Sequence, residues 1–319
     1  MNTKGIGIIG MAILLVALVV LGLLGYHFYK VITEEKKPEA IAPPVEKIMD
    51  IELPLKVELR NVFNGTPVPN INLMIFYNGL RETGTTNSDG VYTSTMYVRP
   101  NRKVTVLAYT TGVRQWVSKI IEGYTKDKLE VMLEKVYRVK MNFKPLGEFS
   151  ISVLDPSYTA ISSGGTYNVT TSGNDKPSFT VMLKNTKDNS GLPLYGEGKD
   201  PETGRTYISA LVITIQGEGV IVTNAELVYS EASKKIYVIT LDKDVLDRVV
   251  DSAGNVVEGK EGLYSLILET DASALSSGSS VTVTIELVTC LDLEYLKTHS
   301  GVKNPEAYVT TSFTFNIGA

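Results

Sequence analysis

Val281-Thr282-Val283-Thr284-Ile285-Glu286-Leu287 decides the fold class of this chain. Valine, isoleucine and leucine take every odd position, threonine and glutamate every even one. Successive side chains of a strand point to opposite sheet faces, so the segment has one wholly apolar face and one polar face. Most of its residues are β-branched and suit a pleated, half-buried surface. That is the pattern of a β-sandwich or jelly roll with one wet face.

Outward from this stretch the period of two recurs. Strands are expected at Phe149–Leu154, Ser178–Lys184, Tyr207–Gln216, Val220–Tyr229, Lys235–Leu241, Leu263–Glu269, Val281–Val288 and Ala307–Ile317. No long helical period separates them, which excludes a doubly wound α/β enzyme fold. Two short helices fit as connections: Lys243–Asp251 capped by Asp242, and Leu291–Lys297. The segments 174–177, 187–191 and 196–204 are polar loops, where binding function would sit. In the last strand Val309, Thr311, Phe313, Phe315 and Ile317 oppose Tyr308, Thr310, Ser312 and Thr314, as in an edge or closing strand. Such a strand pairs within the chain or, in an assembling protein, with a neighbouring subunit.

Upstream, Leu55-Lys56-Val57-Glu58-Leu59-Arg60 alternates strictly between apolar and charged residues. Further strands are expected at Ile71–Tyr77, Thr93–Val98, Lys103–Tyr109, Val113–Ile121 and Lys128–Leu133, with a hairpin centred on Asp89-Gly90. Gly65-Thr66-Pro67-Val68, the strand Ile71–Tyr77, the hairpin Thr86–Tyr92 and the strand ending in Thr111-Gly112 together resemble the carboxypeptidase regulatory-like (transthyretin-like) sandwich over about residues 54–136. The resemblance implies a spacer or adhesion module. Some bacterial members of that fold carry a Lys–Asn isopeptide bond; Lys56 lies on the first strand, but the expected last strand has no asparagine, so the bond is not carried over. Trp116, the single tryptophan, is expected to pack in a core or between domains.

Ahead of the sandwiches, Ile32–Leu53 reads as a stalk, with the charge cluster Glu34-Glu35-Lys36-Lys37 and the extended Pro43-Pro44 pair. Gly5–Tyr29 then runs for 25 residues without a charged side chain. As a helix it would be roughly 37 Å long, enough to cross a bilayer core of about 30 Å. Tyr26, Phe28, Tyr29 and Lys30 form a membrane-interface belt rather than the small-residue site of a cleaved signal. Only four residues precede the run, so the N-terminus is expected inside and the C-terminal domains outside. Lys4-Gly5 followed by Ile6-Gly7-Ile8-Ile9-Gly10 resembles the start of archaeal type IV pilins and archaellins. That resemblance implies a processing site at Lys4/Gly5 and a helix that forms the core of a filament.

The net charge of −4 and pI near 5.5 argue against a nucleic-acid partner. Cys290 is the only cysteine, which excludes an intramolecular disulfide; its place after an alternating run makes it a buried small hydrophobe. With two histidines, at positions 27 and 299, and no G-x-S-x-G elbow, no catalytic set assembles, and Cys290 with His299 is a poor thiol–imidazole pair. No phosphate loop, zinc pair or EF-hand is present, and Asp188-Asn189-Ser190-Gly191 and Asp242-Lys243-Asp244 read as solvated turns rather than calcium loops. Asn168 and Asn64 begin glycosylation sequons, with Pro67 directly after the second of these.

The expected molecule is all-β behind one helix. Residues 1–31 are the anchor, 32–53 the stalk, 54–139 the transthyretin-like sandwich and 140–319 a larger sandwich. The reading is a non-enzymatic, single-pass structural or interaction protein of a cell envelope or membrane-containing virion. Its partners would be the lipid bilayer and copies of itself or other envelope proteins; no cofactor is expected. A type IV pilin-like filament subunit and an anchored carbohydrate-binding module are the alternatives.

Overall fold

A computed structural model of the chain describes residues 6–34, 47–169, 175–302 and 307–317. The chain divides into two compact units, Met1–Lys47 and Ile48–Ala319. In the first, α1 (Ile6–Glu34) is built from leucine, valine, isoleucine and alanine with no proline. Every side chain from Met11 to Ile32 is exposed. Among the described residues it is the one helix long and apolar enough to cross a membrane.

The second unit is β-structure. Its first part comprises β1 (Leu53–Asn61), β2 (Asn72–Tyr77), β3 (Leu80–Thr85), β4 (Val91–Val98), β5 (Lys103–Thr110), β6 (Val113–Ile120), the helix α2 (Lys126–Val131) and β7 (Tyr137–Phe143). They form two sheets, ordered β4-β1-β7 and β3-β2-β5-β6. One core lies between them, with Leu55, Val57 and Leu59 of β1 meeting Leu73, Ile75, Val104 and Val106. The remainder comprises β8 (Phe149–Leu154), β9 (Ala160–Ile161), β10 (Gly165–Val169), β11 (Ser178–Asn185), β12 (Tyr207–Gln216), β13 (Ile221–Val222), β14 (Glu226–Glu231), β15 (Lys234–Thr240), β16 (Arg248–Val250), β17 (Val256–Glu261), β18 (Leu263–Asp271), β19 (Ser280–Asp292), the helix α3 (Leu293–Leu296) and β20 (Ala307–Ile317). Sheets of order β10-β20-β19-β12-β15-β14 and β13-β18-β11-β8-β9 enclose a second core, and β16 pairs with β17. Phe179, Phe313 and Phe315 pack in it at centroid separations of 4.9–5.5 Å.

The all-β expectation holds, and Val281–Leu287 sits at its centre. β19 lies between β12 and β20, with Val281, Val283, Ile285 and Leu287 fully buried. β20 pairs within the chain on both sides, antiparallel to β19 and parallel to β10, so it is an interior strand and not an edge.

Other expectations are corrected. Lys128–Leu133 is not a strand. Thr125 caps α2 there, and its Lys, Asp and Glu residues favour helix, with only Leu129 buried. Nor do residues 243–251 form a helix: the chain turns at Leu246, whose φ is +63°, and continues into β16. Leu291–Lys297 shortens to α3 because β19 runs on through Asp292. Val220–Tyr229 splits where Thr223 donates to the Glu269 carbonyl (3.0 Å), so β13 and β14 belong to different sheets. Asp89-Gly90 closes no hairpin but carries the chain from β3 in one sheet to β4 in the other. Gly90 is nonetheless required: its φ is +69°, and a Cβ would come within 2.7 Å of Leu59 O and Val68 N. The hairpin of this region closes instead on the two-residue turn Asn78-Gly79 between β2 and β3, both residues at positive φ. Finally, the expected boundary at 139/140 falls inside β7, which pairs with β1 as far as Phe143. Asn142 is on this true last strand, but it faces Arg60 in register, and the Lys56 ammonium binds Glu134 at 2.9 Å.

Candidate functional site

The first sandwich has two seams where edge strands of its facing sheets meet, and they are finished differently. On one side the Glu82 carboxylate of β3 accepts the main-chain N–H groups of Thr95 (2.9 Å) and Met96 (3.1 Å) of β4. It also accepts the hydroxyls of Tyr92 (2.6 Å), Ser94 (2.8 Å) and Thr95 (3.1 Å). Partial burial opposes the ionised carboxyl, but these hydrogen bonds outweigh it and hold the group below its ordinary range. Burial and the same contact push Tyr92 up to about 12. One carboxylate thus stitches two sheets.

On the other side, β6 and β7 are both terminal strands of their sheets, and no such stitch joins their middles. Two adjoining grooves of about 510 and 260 Å³ run along this seam and share Lys119 and Lys140 as lining residues. Side chains close only the ends. The Gln115 amide donates to the Lys144 carbonyl (2.8 Å) and accepts the Lys144 N–H (3.0 Å), standing in for a strand neighbour. At the far end the Tyr124 hydroxyl donates to the Val136 carbonyl (3.1 Å). In a parallel ladder main-chain groups alternate between the partner and the open side. The Phe143 carbonyl accepts from Val62 beyond the end of β1, so odd-numbered residues of β7 face β1. Arg138, Lys140 and Asn142 therefore turn their N–H and C=O groups toward the seam. Lys119, Lys128, Arg138 and Lys140 place four cations around it against Glu122. Arg138 is bound to Glu58 (2.8 Å) and Glu134 (2.7 Å), whereas Lys119 and Lys140 form no ion pair among the described residues.

Polar clusters also join the two sandwiches. Asp200, 1% exposed, receives the Arg114 guanidinium at 2.9 and 3.2 Å, and Arg114 also reaches Glu202 at 2.7 Å. Burial raises the Asp200 carboxyl, but the Arg114 contact and main-chain donors from Thr203 and Glu202 prevail and hold it low. Lys144, 2% exposed, binds Asp247 at 2.8 and 3.0 Å and the Lys243 carbonyl at 2.7 Å. Here burial wins, and the Asp247 carboxyl lies above its ordinary value despite the ammonium. Trp116 packs where expected for an interdomain residue: its indole N–H reaches the Glu197 carbonyl (3.4 Å), and a Cβ on Gly196 would collide with the ring.

Residues singled out in the sequence are not brought together. Tyr26, Phe28 and Tyr29 are 67–68% exposed on α1, with Lys30 exposed beside them. Lys4 and Gly5 lie outside the described residues. Asn64 is exposed in the turn after β1, where its side-chain oxygen accepts the Thr66 N–H (3.0 Å) and hydroxyl (2.8 Å). Asn168 is exposed on β10. Cys290 is buried at φ +55°, and its N–H donates to the Tyr195 hydroxyl (2.6 Å). His299 stacks on Tyr295 at 3.7 Å just past α3. Asp188 is bound to Arg248 (2.6 Å), and no cluster of metal-ligating side chains occurs among the described residues. Gln115 and Lys144 escaped sequence reading. Their signal is a polar residue at an inward position, flanked by Val113 and Trp116 in one case and by Phe143 and Pro145 in the other.

No family model matches the chain, and no curated protein does. Among solved structures it is similar to BcpA, the major pilin subunit of Bacillus cereus, at 11% identity and a TM-score of 0.31, over 83% of this chain and 69% of that one. It is also similar to the major pilin SpaA of Corynebacterium diphtheriae, at 10% identity and a TM-score of 0.32, over 73% and 62%. A DUF3823 family protein of Bacteroides uniformis matches at 10% identity and a TM-score of 0.21, over 84% and 100%. None of these is similar enough to transfer a role.

Proposed function

We propose that this chain is a membrane-anchored structural or interaction protein whose β-body is displayed outside a cell or virion by a single N-terminal helix. One observation carries the reading: α1 is apolar all round and exposed along Met11–Ile32, while the β-body fills its own cores. A helix apolar on every face needs either a protein interior or lipid around it. The tyrosines and Lys30 at its end suit the bilayer interface. The polar clusters of the body support a mechanical rather than a catalytic role, because Asp200, Asp247, Arg114 and Lys144 are consumed in mutual ion pairs.

The test is the mass of the mature N-terminus, together with protease shaving of intact cells that express the full chain. An unprocessed N-terminus and loss of the β-body on shaving are expected. A chain beginning at Ile6 would overturn the permanent anchor in favour of a pilin-like subunit. Self-association belongs to the same reading. Sedimentation of the detergent-extracted protein should show an oligomer, and a lone monomer at high concentration would remove that part.

A further inference from the structure

The two seams of the first sandwich pose a question that anchoring does not answer. Glu82 ties β3 to β4 with five hydrogen bonds, whereas the β6/β7 seam is stitched only at its ends, by Gln115 and Tyr124. Between those ends lies a groove as long as β7, bordered by two strand edges and, beside Asn142, by Leu194 and Tyr195. An open edge of this kind templates pairing with another chain unless it is covered or blunted. Only the charges of Arg138 and Lys140 guard this edge: the strand is seven residues long, has no proline and no break in its register with β1, and buries Tyr137, Val139 and Met141 in the core.

We infer that the β6/β7 seam is a binding groove for an extended acidic peptide strand of another protein, which adds to β7 as the fourth strand of the β4-β1-β7 sheet. Two features select this occupant. The outward N–H and C=O groups of Arg138, Lys140 and Asn142 offer a strand ladder with the ordinary two-residue repeat. Lys119 on β6 and Lys140 on β7 stand on opposite banks without ion-pair partners among the described residues, in a protein whose net charge is −4. An incoming strand with carboxylates at alternate positions matches both the repeat and the charge. Gln115 and Tyr124 already show the chemistry, since each satisfies an outward-facing main-chain group of Lys144 or Val136 as a strand neighbour would. They also fix the length of the site: three ladder residues are open between them.

The probe is a fluorescein-labelled peptide of alternating glutamate and valine, about ten residues long, titrated with the full chain in detergent micelles and followed by anisotropy. Saturable binding is expected, as is its weakening by about tenfold or more in the double variant Lys119→Glu, Lys140→Glu. A lysine–valine counterpart should not bind. A second arm uses only the unaltered protein and so survives any misfolding of the variant. The acidic peptide N-methylated at every residue keeps its charge but has no N–H on either edge with which to form the ladder, and it should bind about tenfold more weakly or worse. Equal binding of the N-methylated peptide would overturn the inference and leave a polyanion site, of the kind an acidic polysaccharide fills. No binding of the parent peptide would overturn it outright. Either failure leaves the anchoring reading untouched, because that rests on α1.

Discussion

Glu82 is a single carboxylate with five donors drawn from another sheet, so its removal isolates what one side chain contributes to closing a sandwich. Glu82→Gln keeps the shape but loses the charge and one acceptor oxygen. Hydrogen bonds to a charged group contribute about 1.5–3 kcal/mol when shielded, and the partial exposure of this site lowers that to about 1–2 kcal/mol. Urea unfolding at neutral pH should show the loss. The sign with pH follows from the direction of the shift. The folded carboxyl lies below the ordinary glutamate range, so its contribution is full above that range and is lost as pH falls through the folded value. The gap between wild type and Glu82→Gln should therefore be open at pH 7 and narrow as the pH falls through the folded value. A gap that does not narrow in acid would mean that shape, not charge, holds β3 to β4.

At the scale of elements, Gln115 tests whether a side chain can replace a strand. Both of its bonds go to the main chain of Lys144, and both residues are buried. Gln115→Leu fills the space yet strands a buried N–H and a buried C=O, each at about 1–3 kcal/mol. A loss of roughly 2–4 kcal/mol in thermal unfolding is expected, with faster amide exchange at Lys144 than in the core of β7. Strands such as β1, β5 and β19 were legible because one face of each is buried and the other wet, which writes a period of two into the sequence. β3 and β17, with no buried residue, carry no such period. The turn Asn78-Gly79 carries the same readable signal as Asp89-Gly90, but a turn dipeptide does not say which sheet the next strand joins, and only the first of the two closes a hairpin. The seam itself was illegible. Gln115 and Lys144 are 29 residues apart, and only the topology brings β6 beside β7.

For the whole molecule, two questions remain separable: what locks the sandwiches together and what the helix does for them. Lys144→Met leaves Asp247 buried without its cation, a change of about 3–5 kcal/mol; adding Asp247→Leu should restore most of the loss, since the pair itself is expensive to bury. The helix is the opposite case. Neither β-body core includes a residue before Leu53, and the one partner nearer the N-terminus is Met49, inside the second unit. The cores of the body are thus built within the second unit, and its stability is expected to survive removal of the first, whereas the solubility of the full chain is set by α1, because some twenty exposed apolar side chains need lipid or detergent. A chain of residues 48–319 should remain in the aqueous phase after detergent phase separation and unfold within about 2 °C of the full-length body, while the full chain partitions into detergent. A truncated body that melted several degrees lower, or aggregated, would show that the first 47 residues brace the sandwiches as well as anchor them.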